Sequence, residues 1–185
     1  MTIRRAAAHP IRSRLAAAAV ASIALAAGPA AALDPYEGWL CCNLWTDGSW
    51  ITDINYRSSS KTLLPAGTKV KVTGLGRYRV YIELEGKKQA IGNDYSRSVD
   101  MEAFARRSVL ASDPAASIAR WPAAVREAVK AGKVMRGMTR EQVLTALGYP
   151  TGSYTPELDG PLWRYWLDRS SEFQVFWDED ERSSQ

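Results

Sequence analysis

Val134-Met135-Arg136-Gly137-Met138-Thr139-Arg140-Glu141-Gln142-Val143-Leu144-Thr145-Ala146-Leu147-Gly148-Tyr149-Pro150 is the stretch on which the reading of this chain turns. Thr139 stands where a helix N-cap belongs. Gln142, three residues on, can reach back to complete a capping box, and Met138 is placed to staple against Val143. Val143, Leu144 and Leu147 then form one apolar stripe. Gly148 offers the left-handed residue that ends a helix, and Pro150 forbids continuation. The expected element is a short, well-delimited helix with one face committed to a core.

Toward the C-terminus, Leu162-Trp163-Arg164-Tyr165-Trp166-Leu167 and Phe173-Gln174-Val175-Phe176-Trp177 flank Asp168-Arg169-Ser170-Ser171 and read as an antiparallel hairpin. Period-two alternation sends Trp163, Tyr165, Phe173, Val175 and Trp177 inward and leaves Trp166 and Phe176 on the outer face. That outer pair, with Tyr149 and Tyr154 nearby in sequence, is the candidate patch for a protein contact. Residues 155–161, with two prolines and one glycine, read as a loop or an irregular edge strand. The acidic run from Asp178 reads as solvated, so residues 179–185 are expected to be a disordered acidic tail.

Toward the N-terminus, Ile118, Trp121, Val125 and Val129 make an apolar stripe at helical spacing, with the regular helix beginning near Pro122. Met101, Phe104 and Ala105 suit a short helix, and Ser112-Asp113-Pro114 breaks it and starts the next. Before that the period changes. Trp50 to Ile54, Lys69 to Val72 and Tyr78 to Leu84 read as short strands, with apolar and polar residues mostly alternating over residues 69–72 and 77–84, and turns fall at Pro65-Ala66-Gly67, Gly74-Leu75-Gly76 and Glu85-Gly86-Lys87. Five or so short strands in this stretch imply a small curled β-barrel.

Two resemblances attach to these segments. Asn55 to Val72, an extended run followed by a Pro/Gly turn and a Gly-Thr-Lys-Val strand, resembles the bacterial SH3-like domains of envelope proteins. Gly137-Met138-Thr139 with Gln142-Val143, then Leu147-Gly148-Tyr149-Pro150, Trp163-Arg164-Tyr165 and the Phe173-Gln174-Val175-Phe176 strand, resemble the SmpA/OmlA/BamE family over about residues 134–177. This second resemblance implies two helices on a three-stranded antiparallel sheet. It also implies a role beside the outer-membrane β-barrel assembly machinery, although secreted β-lactamase inhibitors share that fold. The fold class expected is therefore α+β: an N-terminal SH3-like small β-barrel, a helical connector, and two C-terminal helices packed on an antiparallel sheet. The segments are 33–99, 100–120 and 121–178.

Residues 1–32 read as a signal peptide. Arg4, Arg5, Arg12 and Arg14 form a positive n-region, Leu15 to Ala27 is an apolar run too short to span a bilayer, and Ala30-Ala31-Ala32 suits cleavage. The expected location is the periplasm or the medium, with peripheral attachment at the outer membrane as a further option, and no transmembrane segment in the mature chain. The leader carries four of the 24 basic residues and none of the 20 acidic ones, so the mature protein is formally neutral and the basic pI of 9.1 is no argument for nucleic acid. It also carries His9, the only histidine. Imidazole bases, Ser-His-Asp or Cys-His nucleophiles and His-ligated metals are thereby excluded, and no catalytic, metal or cofactor residue is assigned.

Cys41 and Cys42 are the only cysteines. Neighbouring side chains in a strand point to opposite faces, so the reading is one buried and one exposed thiol, with a redox pair or an intermolecular disulfide as the alternative. Three roles remain: an envelope assembly or scaffold factor that holds a protein partner, a peptidoglycan- or peptide-binding wall module, and a secreted enzyme inhibitor.

Overall fold

Alternating Lys69-Val70-Lys71-Val72 and Arg79-Val80-Tyr81-Ile82 do form strands, but the sheet they enter is far larger than a small barrel. In the computed structural model, which describes residues 33–178 and 182–184, the strands are β1 (Tyr36–Leu40), β2 (Leu44–Thr46), β3 (Trp50–Ile51), β4 (Thr62–Leu64), β5 (Lys69–Gly76), β6 (Arg79–Leu84), β7 (Lys87–Gly92) and β8 (Val109–Leu110). They make one curled, half-barrel sheet in the order β4-β2-β3-β7-β6-β5-β1-β8. Every pairing is antiparallel except β3 with β7, where Trp50 and Ile51 run beside Ala90 and Ile91. Glu85 and Gly86 both take positive φ, 49° and 76°, the geometry of the two-residue turn that matches strand twist, and so β6 and β7 join tightly. A register shift between Val72 and Gly74 puts a bulge in β5 where the sheet bends.

The concave face collects Leu40, Ile51, Val70, Val72, Val80, Ile82 and Ile91 into an aliphatic core. Helix α1 (Met101–Ser108) closes it with Phe104 and Ala105. Asp100 starts that helix by accepting from the amides of Glu102 and Ala103 at 2.9 and 3.1 Å.

A second core is built from α3 (Ala123–Lys130), α4 (Arg140–Leu147) and the hairpin of β9 (Leu162–Trp166) and β10 (Glu172–Phe176). It holds Val125, Val129, Met138, Val143, Trp163, Tyr165, Val175 and Trp177, and Trp163 stands edge-on to Trp177 at 4.6 Å between centroids. The capping box at α4 is complete: Thr139 Oγ1 accepts from the Gln142 amide, and Gln142 Oε1 accepts from the Thr139 amide at 3.0 Å. A short helix, α2 (Ala115–Ala119), leads into α3.

Two asparagines sew the cores together. Buried Asn43 donates its amide to Thr145 O at 2.9 Å and its side chain to the carbonyls of Val129 and Ala146, while its Oδ1 accepts from Ala66 N at 3.0 Å. Asn55, at φ 55°, donates to Asn43 O at 2.8 Å and Leu147 O at 2.7 Å and accepts from Trp45 N at 2.8 Å. These bonds satisfy the carbonyls that the C-terminal end of α4 leaves open.

The expected fold class is thus overturned. The protein is strand-dominated, with an eight-stranded mixed sheet and four short helices among the described residues, and not an SH3-like small barrel with two helices on a three-stranded sheet. The reasons are local. Strands β2, β3, β4 and β8 are two or three residues long and show no period, and the parallel β3–β7 pair joins residues about forty apart. Gly74 to Gly76 lies inside β5 and does not form a turn. Pro156 and Pro161 bound a loop, and among the described residues the hairpin stays two-stranded. Gly148 ends α4 at φ 83° and ψ 179°, an extended mirror region nearly restricted to glycine and distinct from the left-handed helical stop. Arg182 to Ser184 return onto the fold: Ser183, 1% exposed, bridges Trp177 and bonds Met138 and Met135, so this part of the expected disordered tail is ordered. The expected signal peptide, residues 1–32, lies outside the described residues. Among the described residues no helix is long and apolar enough to cross a membrane.

Candidate functional site

Between the mixed sheet and the C-terminal hairpin lies an open cleft of about 550 Å³. One wall comes from the β2–β3 turn and the irregular segment that follows. Asp47 turns the chain by accepting from Ser49 N at 2.9 Å, Ser49 Oγ at 2.9 Å and Trp50 N at 2.7 Å. Those donors, the Ser49 amide first, hold its carboxyl below the usual range, so a fixed negative charge sits at the rim. Beyond it, Tyr56 and Lys61 face each other, the ammonium 3.6 Å from the ring centroid. Burial pushes the Lys61 ammonium down.

The opposite wall comes from the hairpin. Arg169, in its turn, donates Nε to Tyr56 Oη at 3.1 Å across a separation of 113 residues. That bond is the main reason the Tyr56 hydroxyl is pulled below its ordinary value. Trp166 packs on Tyr154 at 4.6 Å and 57°, and Tyr154 on Tyr95 at 6.4 Å, so three rings run along the cleft edge. The loop carrying Tyr95 is positioned from below. Asp53 Oδ2 accepts from Tyr95 N at 2.8 Å, Gly152 N donates to Ser96 Oγ at 3.0 Å, and Ser153 N donates to Tyr95 O at 2.8 Å. Asp53 is itself largely buried, which raises its carboxyl. Two lining residues, Trp50 and Asp94, are both held by Arg79, which lies 4.2 Å from the Trp50 ring and pairs with Asp94 at 3.0 Å.

Trp166 also lines a second cavity of about 310 Å³, with Trp45, Val134, Leu147, Leu167 and Phe173. The indole is a partition with a hollow on each side.

Of the four residues expected to make one contact patch, the structure brings two together. Trp166 is half-buried and Tyr154 is 44% exposed against it. Phe176, 49% exposed, pairs with Leu162 at the far end of the hairpin, four residues along the strand from the Trp166 pair and so about 13 Å away. Tyr149 is half-buried under the Arg107 guanidinium at 4.9 Å and belongs to the interior seam. The single patch is therefore corrected to a Tyr154–Trp166 pair at the edge of a larger cleft, with Trp166 lining the cleft and Tyr154 packed against it. Trp50, Tyr56, Lys61, Tyr95 and Arg169 are additional members that the sequence reading missed, because four of them sit on loops with no period and Trp50 sits in the two-residue strand β3, too short to show one. The Asp47-Gly48-Ser49-Trp50 turn was the one local signal pointing to them.

The reading of Cys41 and Cys42 as one buried and one exposed thiol is also corrected: the two sulfurs are bonded to each other. Among the described residues no group of three or more Cys, His, Asp or Glu side chains is placed to hold a metal ion. No family model, no curated protein and no solved structure compared with the chain matches it.

Proposed function

We propose that this chain is a non-catalytic cell-envelope protein that holds a protein partner, in the manner of the outer-membrane assembly and scaffold factors its 134–177 stretch resembles. The cleft beside Trp166 takes an extended segment of that partner. The observation that carries the reading is the aromatic row Tyr95, Tyr154 and Trp166 bordered by charge of both signs, Asp47 and Lys61 on one wall and Arg169 on the other. Rings offer large area at low entropic cost, and fixed charges set register along a peptide. Fully burying a large apolar side chain contributes on the order of 1.5–3 kcal/mol, about a tenfold to hundredfold change in Kd, and rings already partly buried contribute a fraction of that each.

Affinity capture from crosslinked, detergent-solubilised envelopes tests this. Recovery of β-barrel assembly components or their clients with the parent chain, lost with Trp166→Ala, supports it. Equal recovery with the parent chain and with Trp166→Ala sinks the assignment to this cleft. A second reading, a peptidoglycan ligand, is favoured by one feature: Ser58 and Ser60 line the same cleft as Tyr95 and Trp166, the mixture of hydroxyls and ring faces that sugars use. Sedimentation with purified sacculi, abolished by Trp166→Ala, would establish that reading instead.

A further inference from the structure

The Cys41–Cys42 bond lies where β1 ends, immediately before the seam residue Asn43. A cross-link stabilises chiefly by closing a loop in the unfolded chain, and between neighbours there is no loop to close. The bond therefore adds little to stability, and its surroundings suggest a chemical role. Cys42 is 2% exposed, whereas Cys41 is half-buried. Both border an outer cavity of about 270 Å³, with Leu110, Glu141 and Tyr149, and an inner one of about 30 Å³ that contains Arg107 and Asp53. Arg107 lies 4.9 Å from each of the Phe104 and Tyr149 rings, and its Nε has no hydrogen-bond partner. A desolvated cation in the cavity that both cysteines line favours a thiolate there, which makes a sulfur released into that cavity a better leaving group.

We propose that Cys41–Cys42 is a redox-active cystine, opened by thiol–disulfide exchange with a dithiol, and that opening loosens the Asn43 seam between the two cores. The dithiol's thiolate attacks Cys41 Sγ from the outer cavity. The S–S bond breaks, and Cys42 Sγ leaves as a thiolate into the cavity it shares with Arg107. The reductant's second thiol, after losing its proton, attacks its own sulfur in the mixed disulfide and releases the Cys41 thiolate. Cys41 and Cys42 gain two electrons, the reductant is oxidised to its disulfide, and the two protons lost by its thiols end on the two new thiols or in water. Cys41 N donates to Ser108 O at 3.0 Å and Asn43 N to Thr145 O at 2.9 Å, so backbone freedom gained at 41–42 is transmitted to both neighbours.

The test uses the full chain, purified without reductant and alkylated with iodoacetamide in native buffer before and after dithiothreitol, with hydrogen exchange followed at Asn43. No alkyl group before and two after are expected. Exchange at Asn43 should be at least tenfold faster once reduced, and Cys41→Ser/Cys42→Ser should reproduce it. Arg107→Gln should slow reduction several-fold and Arg107→Lys should restore it. Two alkyl groups without reductant would show that the bond does not form. Reduction only in denaturant would make it a structural cross-link, and unchanged exchange at Asn43 after reduction would refute the coupling to the seam.

Discussion

The two cores of this protein are built from different materials. The sheet core is aliphatic, Val, Ile and Leu from neighbouring strands, and four of its seven ladders join strands adjacent or nearly adjacent in the chain. The helix–hairpin core is aromatic, with Trp163, Tyr165 and Trp177 at its centre. Many small side chains share the load in the first, so each is individually replaceable. A few large rings carry the second, and each is individually critical. Between them the seam is polar, held by Asn43 and Asn55 through hydrogen bonds to backbone carbonyls.

Substitutions can break this contrast or sharpen it. Trp163→Ala, at a side chain 1% exposed and held by Nε1–H to Leu158 O at 2.9 Å, should cost about 3–5 kcal/mol. Ile82→Val in the sheet core should cost only about 0.5–1.5 kcal/mol. Urea melts of the two variants measure that difference, and equal losses would erase it. Asn43→Ala leaves buried carbonyls of α3 and α4 without donors and should cost about 1–3 kcal/mol, with hydrogen exchange rising in α4 before it rises in β6. Trp166→Ala should cost about 1 kcal/mol or less, because that ring is half-buried and packs mainly on Tyr154, while removing the partition between two hollows.

Asp53→Asn should act in the opposite direction. The Asp53 carboxyl is raised in the folded protein, so relative to the unfolded chain it binds a proton more readily. Its contribution is fully present below the unfolded value near 3.8 and is lost as pH rises through the raised folded value. The amide can still accept from Tyr95 N, and its NH2 replaces Oδ1, which has no partner. The variant should therefore gain on the parent as pH rises from 3 to 7. Thermal melts across that range check it, and a parallel pH profile for both proteins would discard the argument.

Legibility in the sequence followed periodicity. The α4 capping box, the hairpin from Leu162 to Phe176 and its alternation were readable because each is decided within a few residues: a cap within four, a strand face within two. Trp163, Tyr165, Val175 and Trp177 are buried and Phe176 is exposed for that reason. The cleft was half legible. Trp166 and Tyr154 stood out as aromatics on or near an outer face, but Tyr56 and Arg169 meet across 113 residues and no local pattern announces such a meeting. Nor does any pattern announce that Phe176 and Tyr149, equally aromatic, go elsewhere.

What the sequence by itself determined is the set of local commitments: where helices begin, where Glu85-Gly86 turns, and which hairpin residues face inward. They depend on capping, φ preference and pleat, which act between near neighbours. What only the tertiary structure decided is the width of the sheet, the parallel β3–β7 pairing, the Cys41–Cys42 bond and the assembly of the cleft. A two-residue strand such as β3 has too few side chains to express a period, so its partner is chosen by the surface it completes. Asn43 and Asn55 make the same point: an asparagine reads as a turn residue until the carbonyls it must satisfy are placed around it.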